Sequence, residues 1–202
     1  MNKRVYISAD YSNDSGDRDV VDTLNRWSTD SLHTVNFIDM AKVVSGSIAA
    51  DPDCRHHDLK GEFNQQINAS SVVIIVIGDK TASRTAGSSC SRESYDQAYC
   101  SCTPYKQNAN GKKACKVPQT SPAGADDVGN INTFSYLRHE FEQAKKRNKF
   151  IVVVYNSLRK ETNWLPSYMK EYESVAVPFW TKDTYGNKVG DYAYIKQVLG
   201  YA

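Results

Sequence analysis

The sequence predicts an α/β protein: a doubly wound, five-stranded parallel sheet in a single domain over residues 1–202, with a long insertion at about 82–132 before the fourth strand. Three observations predict it. Short β-branched runs alternate along the chain with segments of helical spacing, the order that builds a parallel sheet flanked by helices. Two of those runs, Val72 to Ile77 and Phe150 to Val154, carry no polar alternation, as strands covered on both faces require. The length of 202 residues supports one sizeable core and is short for two.

The elements follow in order. Strands are expected at Val5–Ala9, Thr34–Asp39, Val72–Gly78, Phe150–Tyr155 and Ser174–Val177, each short and most rich in β-branched residues. Between them, Asp17–Trp27 places Val20, Val21, Leu24 and Trp27 on one helical face, and Asp58–Ala69 does the same with Leu59, Phe63 and Ile67. Tyr136–Lys146 turns Leu137, Phe141 and Ala144 inward and has Lys145, Lys146 and Arg147 near its end, cations that suit the carboxyl end of a helix dipole. A last helix is expected over Asp191–Leu199, which completes an alternating βα order.

The order breaks once, between Thr81 and Thr133, where about fifty residues replace a connection that normally needs only a few. A short helix is expected there at Arg92–Tyr99. Four of the five cysteines, Cys90, Cys100, Cys102 and Cys115, fall in this insertion. Structural zinc sites favour paired Cys-x2-Cys knuckles, and the close pair here is Cys100-x-Cys102, so reduced surface thiols are the plainer reading and no metal is assigned. Adjacent His56 and His57, beside Cys54, point about 100° apart on a helix and share one ion poorly, so they are read as the polar start of a helix.

Charge and motifs narrow the function classes. A formal net charge of +2, from 25 basic and 23 acidic residues, supplies no field to draw in a polyanion, which argues against nucleic-acid binding. The longest apolar run, Val72–Ile77, is far below the roughly 20 residues that cross a bilayer. Met1-Asn2-Lys3-Arg4 leads directly into the strand-like Val5-Tyr6-Ile7-Ser8 without a signal-peptide apolar region, so no membrane association and a cytoplasmic location are expected. The chain contains no G-x-x-x-x-G-K-[ST], no G-x-G-x-x-G and no G-x-S-x-G, which removes support for ATPase, dehydrogenase and α/β-hydrolase readings.

Ligands of a doubly wound sheet bind outside the carboxyl ends of the strands, where the strand order reverses. The residues there are Ser8, Asp10 and Tyr11 at the end of the first strand, Asp39 at the end of the second, and Gly78-Asp79-Lys80-Thr81 at the end of the third. Such side chains can hold a ribose or phosphate, and they are equally ordinary turn and cap residues. One further carboxylate stands out. Glu140, three after Leu137 and one before Phe141, borders the apolar face of its helix and could turn toward the crevice as a base or a stabiliser of a cationic sugar; alternatively it pairs at the surface with a basic residue a turn away.

Lys3-Arg4-Val5-Tyr6-Ile7-Ser8, Leu59 to Gly78 and Tyr136 to Tyr155 together resemble the TIR-like domains of bacteria, in particular the TIR-like subunit of the Thoeris anti-phage defence system. Tyr136-Leu137-Arg138-His139-Glu140 is similar to that family's W-x-x-x-E-like element, with Tyr in place of Trp. The resemblance covers most of the chain outside the insertion. It implies a TIR/flavodoxin-like fold and an NAD glycohydrolase or ADP-ribose cyclase that splits the nicotinamide–ribose bond, with NAD as substrate rather than a bound cofactor. It implies Glu140 as the catalytic carboxylate and Ser8, Asp10, Tyr11 and Asp39 as residues lining the nucleotide pocket. The implied partners are a phage-derived trigger, other copies of the chain through self-association, and an effector protein reached by a diffusible nucleotide, the ADP-ribose-derived cyclic signal that the resemblance implies.

The chain departs from the family in the insertion, since about sixty residues separate Gly78 from Glu140 and a compact member needs about a dozen there. Glu93, in Arg92-Glu93-Ser94-Tyr95, is a second glutamate after the third strand, but no basic turn and apolar strand follow it, so Glu140 is preferred. Two other functions stay open: a non-catalytic interaction module using a Tyr-rich surface, and a nucleoside or nucleotide ribosyltransferase with a Glu against an anomeric carbon.

Overall fold

The computed structural model describes residues 3–10, 15–29, 36–39, 52–84, 105–107, 113–115 and 135–201. Its elements, in chain order, are β1 (Arg4–Ser8), α1 (Arg18–Trp27), β2 (Asn36–Asp39), α2 (Pro52–Ala69), β3 (Val72–Ile77), β4 (Tyr105–Gln107), β5 (Lys113–Cys115), α3 (Tyr136–Lys146), β6 (Phe150–Tyr155), β7 (Val177–Pro178), β8 (Trp180–Lys182), β9 (Lys188–Gly190) and α4 (Tyr192–Val198).

The fold is α/β around a parallel sheet in the order β2-β1-β3-β6, with the two-residue β7 at its far edge. Registers are even: Val5 sits opposite Val72 and Val72 opposite Phe150. The centre of the sheet is β3, all six of whose side chains are buried. Burying a Val or Ile is worth about 1.5–3 kcal/mol, so this uninterrupted run is a major source of stability.

Side chains alternate across the sheet. Val5, Ile7, Ala9, Ile74 and Val76 pack beneath α1 (Val20, Val21, Leu24) and α4 (Ile195). Tyr6, Val73, Ile75 and Ile77 pack beneath α2 (Phe63, Ile67) and α3 (Leu137, Phe141, Ala144). Helices therefore cover both faces, and α2 is joined to α3 by His139 and Asn64, whose Nε2 and Oδ1 lie 3.0 Å apart.

Several features differ from the sequence expectation. The α2 helix begins at Pro52 rather than Asp58, so His56 and His57 lie inside it. The last strand is Val177–Pro178, not Ser174–Val177. Its predicted first residues are used in closing a turn: a 3₁₀ helix over Ser167–Tyr172 ends with Val175 N and Ala176 N donating to Tyr172 O at 3.1 and 2.8 Å. The connection from β6 to β7 is accordingly 3₁₀ rather than α-helical. An antiparallel hairpin, β8–β9, was not anticipated. Its turn is organised by Asp183, whose Oδ1 accepts from Tyr185 N and Asn187 N, and by Gly186 at φ +84°.

Within the predicted insertion, β4 and β5 form a small antiparallel pair, Tyr105 opposite Cys115. The expected Arg92–Tyr99 helix and Cys90, Cys100 and Cys102 lie outside the described residues.

Candidate functional site

The chain steps from β1 outward to β2 and then returns to β3 on the other side of β1. The strand order thus reverses between β1 and β3, and their carboxyl ends are where a doubly wound sheet takes its ligand. Ser8 closes β1 and Gly78 follows β3 there.

Glu140 reaches this region from α3. The helix is started by Ser135, whose hydroxyl accepts from Arg138 N at 3.0 Å, an N-cap worth about 1 kcal/mol. Leu137, Glu140, Phe141 and Ala144 recur at helical spacing, and all four are buried against the sheet. Glu140 is fully buried, deeper than a border position implies. The surface pair with a basic residue belongs instead to Glu142, whose Oε1 lies 2.8 Å from Arg138 Nε.

The Glu140 carboxyl faces the hydroxyls of Ser8 and Tyr6, two residues apart on β1 and so on one face of the sheet. Burial pushes its pKa from 4.5 up to about 8, while Ser8 and then Tyr6 oppose that shift. Neither Glu140 oxygen nor Ser8 Oγ makes a fully formed hydrogen bond, so the hydroxyls moderate the charged form without closing on it. A carboxyl removed from water and lacking a cation favours its neutral form. Glu140 is therefore an acid that keeps its proton at neutral pH.

Asp10, just past β1, forms an ion pair with Arg84, Nε to Oδ2 2.7 Å. Arg84 follows the 3₁₀ turn Thr81–Ser83 that leaves β3, so this pair links the two sides of the strand-order reversal. Ser15 Oγ holds the Asp10 carbonyl at 2.6 Å.

Asp17 forms a second buried acid, on the α1 side of the same edge. Although it directly precedes α1, its side chain does not cap the helix. It turns across the edge instead, and Asn156 Nδ2, at the end of β6, donates to Oδ1 at 2.9 Å. Trp180 Nε1 donates to Asn156 Oδ1 at 2.7 Å, which extends the chain of contacts to β8. Gly78 leaves just enough room: a Cβ there would lie 2.5 Å from Asp17 Oδ1. Burial, against the Asn156 hydrogen bond, pushes the Asp17 pKa from 3.8 up to about 7, and the Asp10 charge adds to the rise.

Of the residues singled out in the sequence, the fold brings Ser8 and Glu140 together and sets Asp10 just past β1, paired with Arg84. Asp39 ends β2 opposite Ile7, one register position short of Ser8. Tyr11 lies outside the described residues. Sequence reasoning missed Tyr6, Asp17, Arg84 and Asn156. Tyr6 was legible through its period-two relation to Ser8; Asp17 reads as an ordinary helix cap, and no local signal joins it to Asn156, 139 positions away.

Among the described residues, no three or more His, Cys, Asp or Glu side chains are grouped to hold a metal ion, and no helix is long and apolar enough to cross a membrane. Comparison with family models and with curated proteins finds no match to this chain.

Proposed function

We propose that this chain is a TIR-like, NAD-cleaving signalling enzyme of bacterial anti-phage defence, with Glu140 as its catalytic carboxylate. The observation that carries the reading is a fully buried glutamate turned toward two strand-end hydroxyls, Ser8 and Tyr6, beside the strand-order reversal. The family resemblance of Tyr136 to Glu140 supplies the reaction; the geometry supplies a desolvated carboxyl of the kind glycosidic cleavage uses.

In that reaction the C1′–N bonding pair moves onto the pyridinium nitrogen and neutral nicotinamide leaves. Positive charge passes to ribose C1′ and its ring oxygen, where an ionised Glu140 opposes it. Water, or a nucleophile within the ADP-ribose unit, then bonds to C1′ and gives up a proton; the second route yields a cyclic signal. Substrate binding assists the carboxyl, because a nearby pyridinium charge favours loss of the Glu140 proton. Ser8, Asp10, Tyr11 and Asp39 are the proposed pocket residues. A carboxyl without exposed surface is reached after local opening, which suits an enzyme at rest in the cytoplasm until a phage-derived trigger or self-association activates it.

The test is incubation of purified protein with NAD, beside Glu140→Gln, following nicotinamide and new nucleotides by chromatography and mass spectrometry. Release lost in the variant is the expected result. Release retained in Glu140→Gln rejects the assignment. A second reading, a non-catalytic interaction module, draws on the exposed Phe150, Val175 and Tyr185; it predicts no release even in lysate of infected cells.

A further inference from the structure

A dinucleotide brings two phosphate charges to its site, and this chain has no glycine-rich loop to meet them with backbone N–H groups. Side-chain cations can take that part. Arg84 stands at the required place: it leaves β3 at the strand-order reversal and reaches across to Asp10 beyond β1. Lys80, four residues earlier, opens the same 3₁₀ turn.

The exposures give the pair a direction. Arg84 is 33% exposed and Asp10 11%, so an anion arriving from solvent meets the guanidinium before the carboxylate. Asp10 is also held from behind, through Ser15 Oγ on its carbonyl. A partly exposed ion pair of this kind contributes little. A diphosphate offers more charge and more acceptor oxygens to the planar fork of an arginine than a single carboxylate does.

We propose that Arg84 is the phosphate-binding residue of this site and that the Asp10–Arg84 pair is a resting latch, displaced by the diphosphate of an incoming nucleotide. Asp10 then acts first as the competitor for Arg84 and becomes available to the nucleotide only after the exchange. The identity of the substrate rests on the NAD-cleaving reading; the anion preference does not.

The experiment separates the two. ADP and adenosine, which differ in the diphosphate and carry no scissile nicotinamide bond, are titrated calorimetrically into the wild type, Arg84→Gln and Asp10→Asn. The wild type is expected to bind ADP more tightly than adenosine. Arg84→Gln should weaken ADP by about tenfold, the scale of one lost charge-assisted hydrogen bond, and leave adenosine unchanged. Asp10→Asn, which removes the competing carboxylate charge, should tighten ADP. Equal affinities for ADP and adenosine in the wild type overturn the proposal, as does an Arg84→Gln variant that weakens both alike. Should Arg84→Gln fail to fold, Asp10→Asn decides alone: ADP binding unchanged or weakened there overturns the latch. NAD cleavage absent from the wild type even in lysate of infected cells, with ADP discrimination intact, sinks the enzymatic reading and leaves the anion site standing.

Discussion

Replacing Glu140 by Gln removes a proton-binding group while nearly keeping its shape, so it isolates the energetic consequence of burying this acid. In the folded chain the carboxyl titrates at about 8, against 4.5 ordinarily. Below the ordinary value both folded and unfolded chains hold the proton, and pH has no effect through this group. Between 4.5 and about 8 the unfolded chain has released the proton and the folded chain has kept it. Stability therefore falls by about 1.4 kcal/mol for each pH unit across that window. From pH 5 to pH 7 the wild type should lose about 3 kcal/mol relative to Glu140→Gln, and on the order of 5 kcal/mol across the whole window. Asp17 has the same sign between 3.8 and about 7, but it is present in both proteins and on the opposite side of the sheet, so it cancels in the difference. Urea unfolding of both proteins, followed by tryptophan fluorescence at several pH values, measures the quantity directly. A difference that stays flat with pH refutes the buried neutral acid, and one that moves in favour of the wild type as pH rises refutes the sign.

The same protonation state governs activity: kcat/KM for NAD should rise with pH and level off above about 8, the Glu140 value in the free enzyme, and a profile already flat from about pH 6 would exclude it. Asn156→Ala strips a partner from both Asp17 and Trp180 and should cost about 2–3 kcal/mol in denaturant unfolding; a change below about 0.5 kcal/mol would mean that those contacts carry no weight. Gly78→Ala forces a Cβ to 2.5 Å from Asp17 Oδ1 and should destabilise by about 1–3 kcal/mol, with Asp17→Ala, which removes the clashing oxygens, reducing the penalty in a double-mutant cycle. Ser135→Ala removes the cap of α3 and should lower stability by about 1 kcal/mol, read as a shift in the urea midpoint.

Much of the architecture was written in local sequence. Val72–Ile77 and Phe150–Tyr155 are strands because an uninterrupted β-branched run is stable only between two covering layers. Helices α1 and α3 follow from apolar spacing near 3.6 residues. No helix was assigned between the fourth and fifth strands, and the connection there is made of 3₁₀ turns, Thr162–Trp164 and Ser167–Tyr172, whose residues carry no sustained period. The β8–β9 hairpin was missed although Asp183 to Gly186 had turn chemistry, since its strands are three residues each.

The sequence by itself determined the two central strands, the helices α1 and α3, and the place of Ser8 and Asp10 at the end of β1, because those properties depend on neighbours within about one turn or two strand positions. The tertiary structure alone decided how deep Glu140 lies, that Asp10 faces Arg84, and that Asp17 bonds Asn156 rather than capping α1. Each of those is a contact across 70 or more positions or a matter of exclusion from water. Ionisation follows from solvent access and from the charges that the fold brings near, neither of which has a period along the chain.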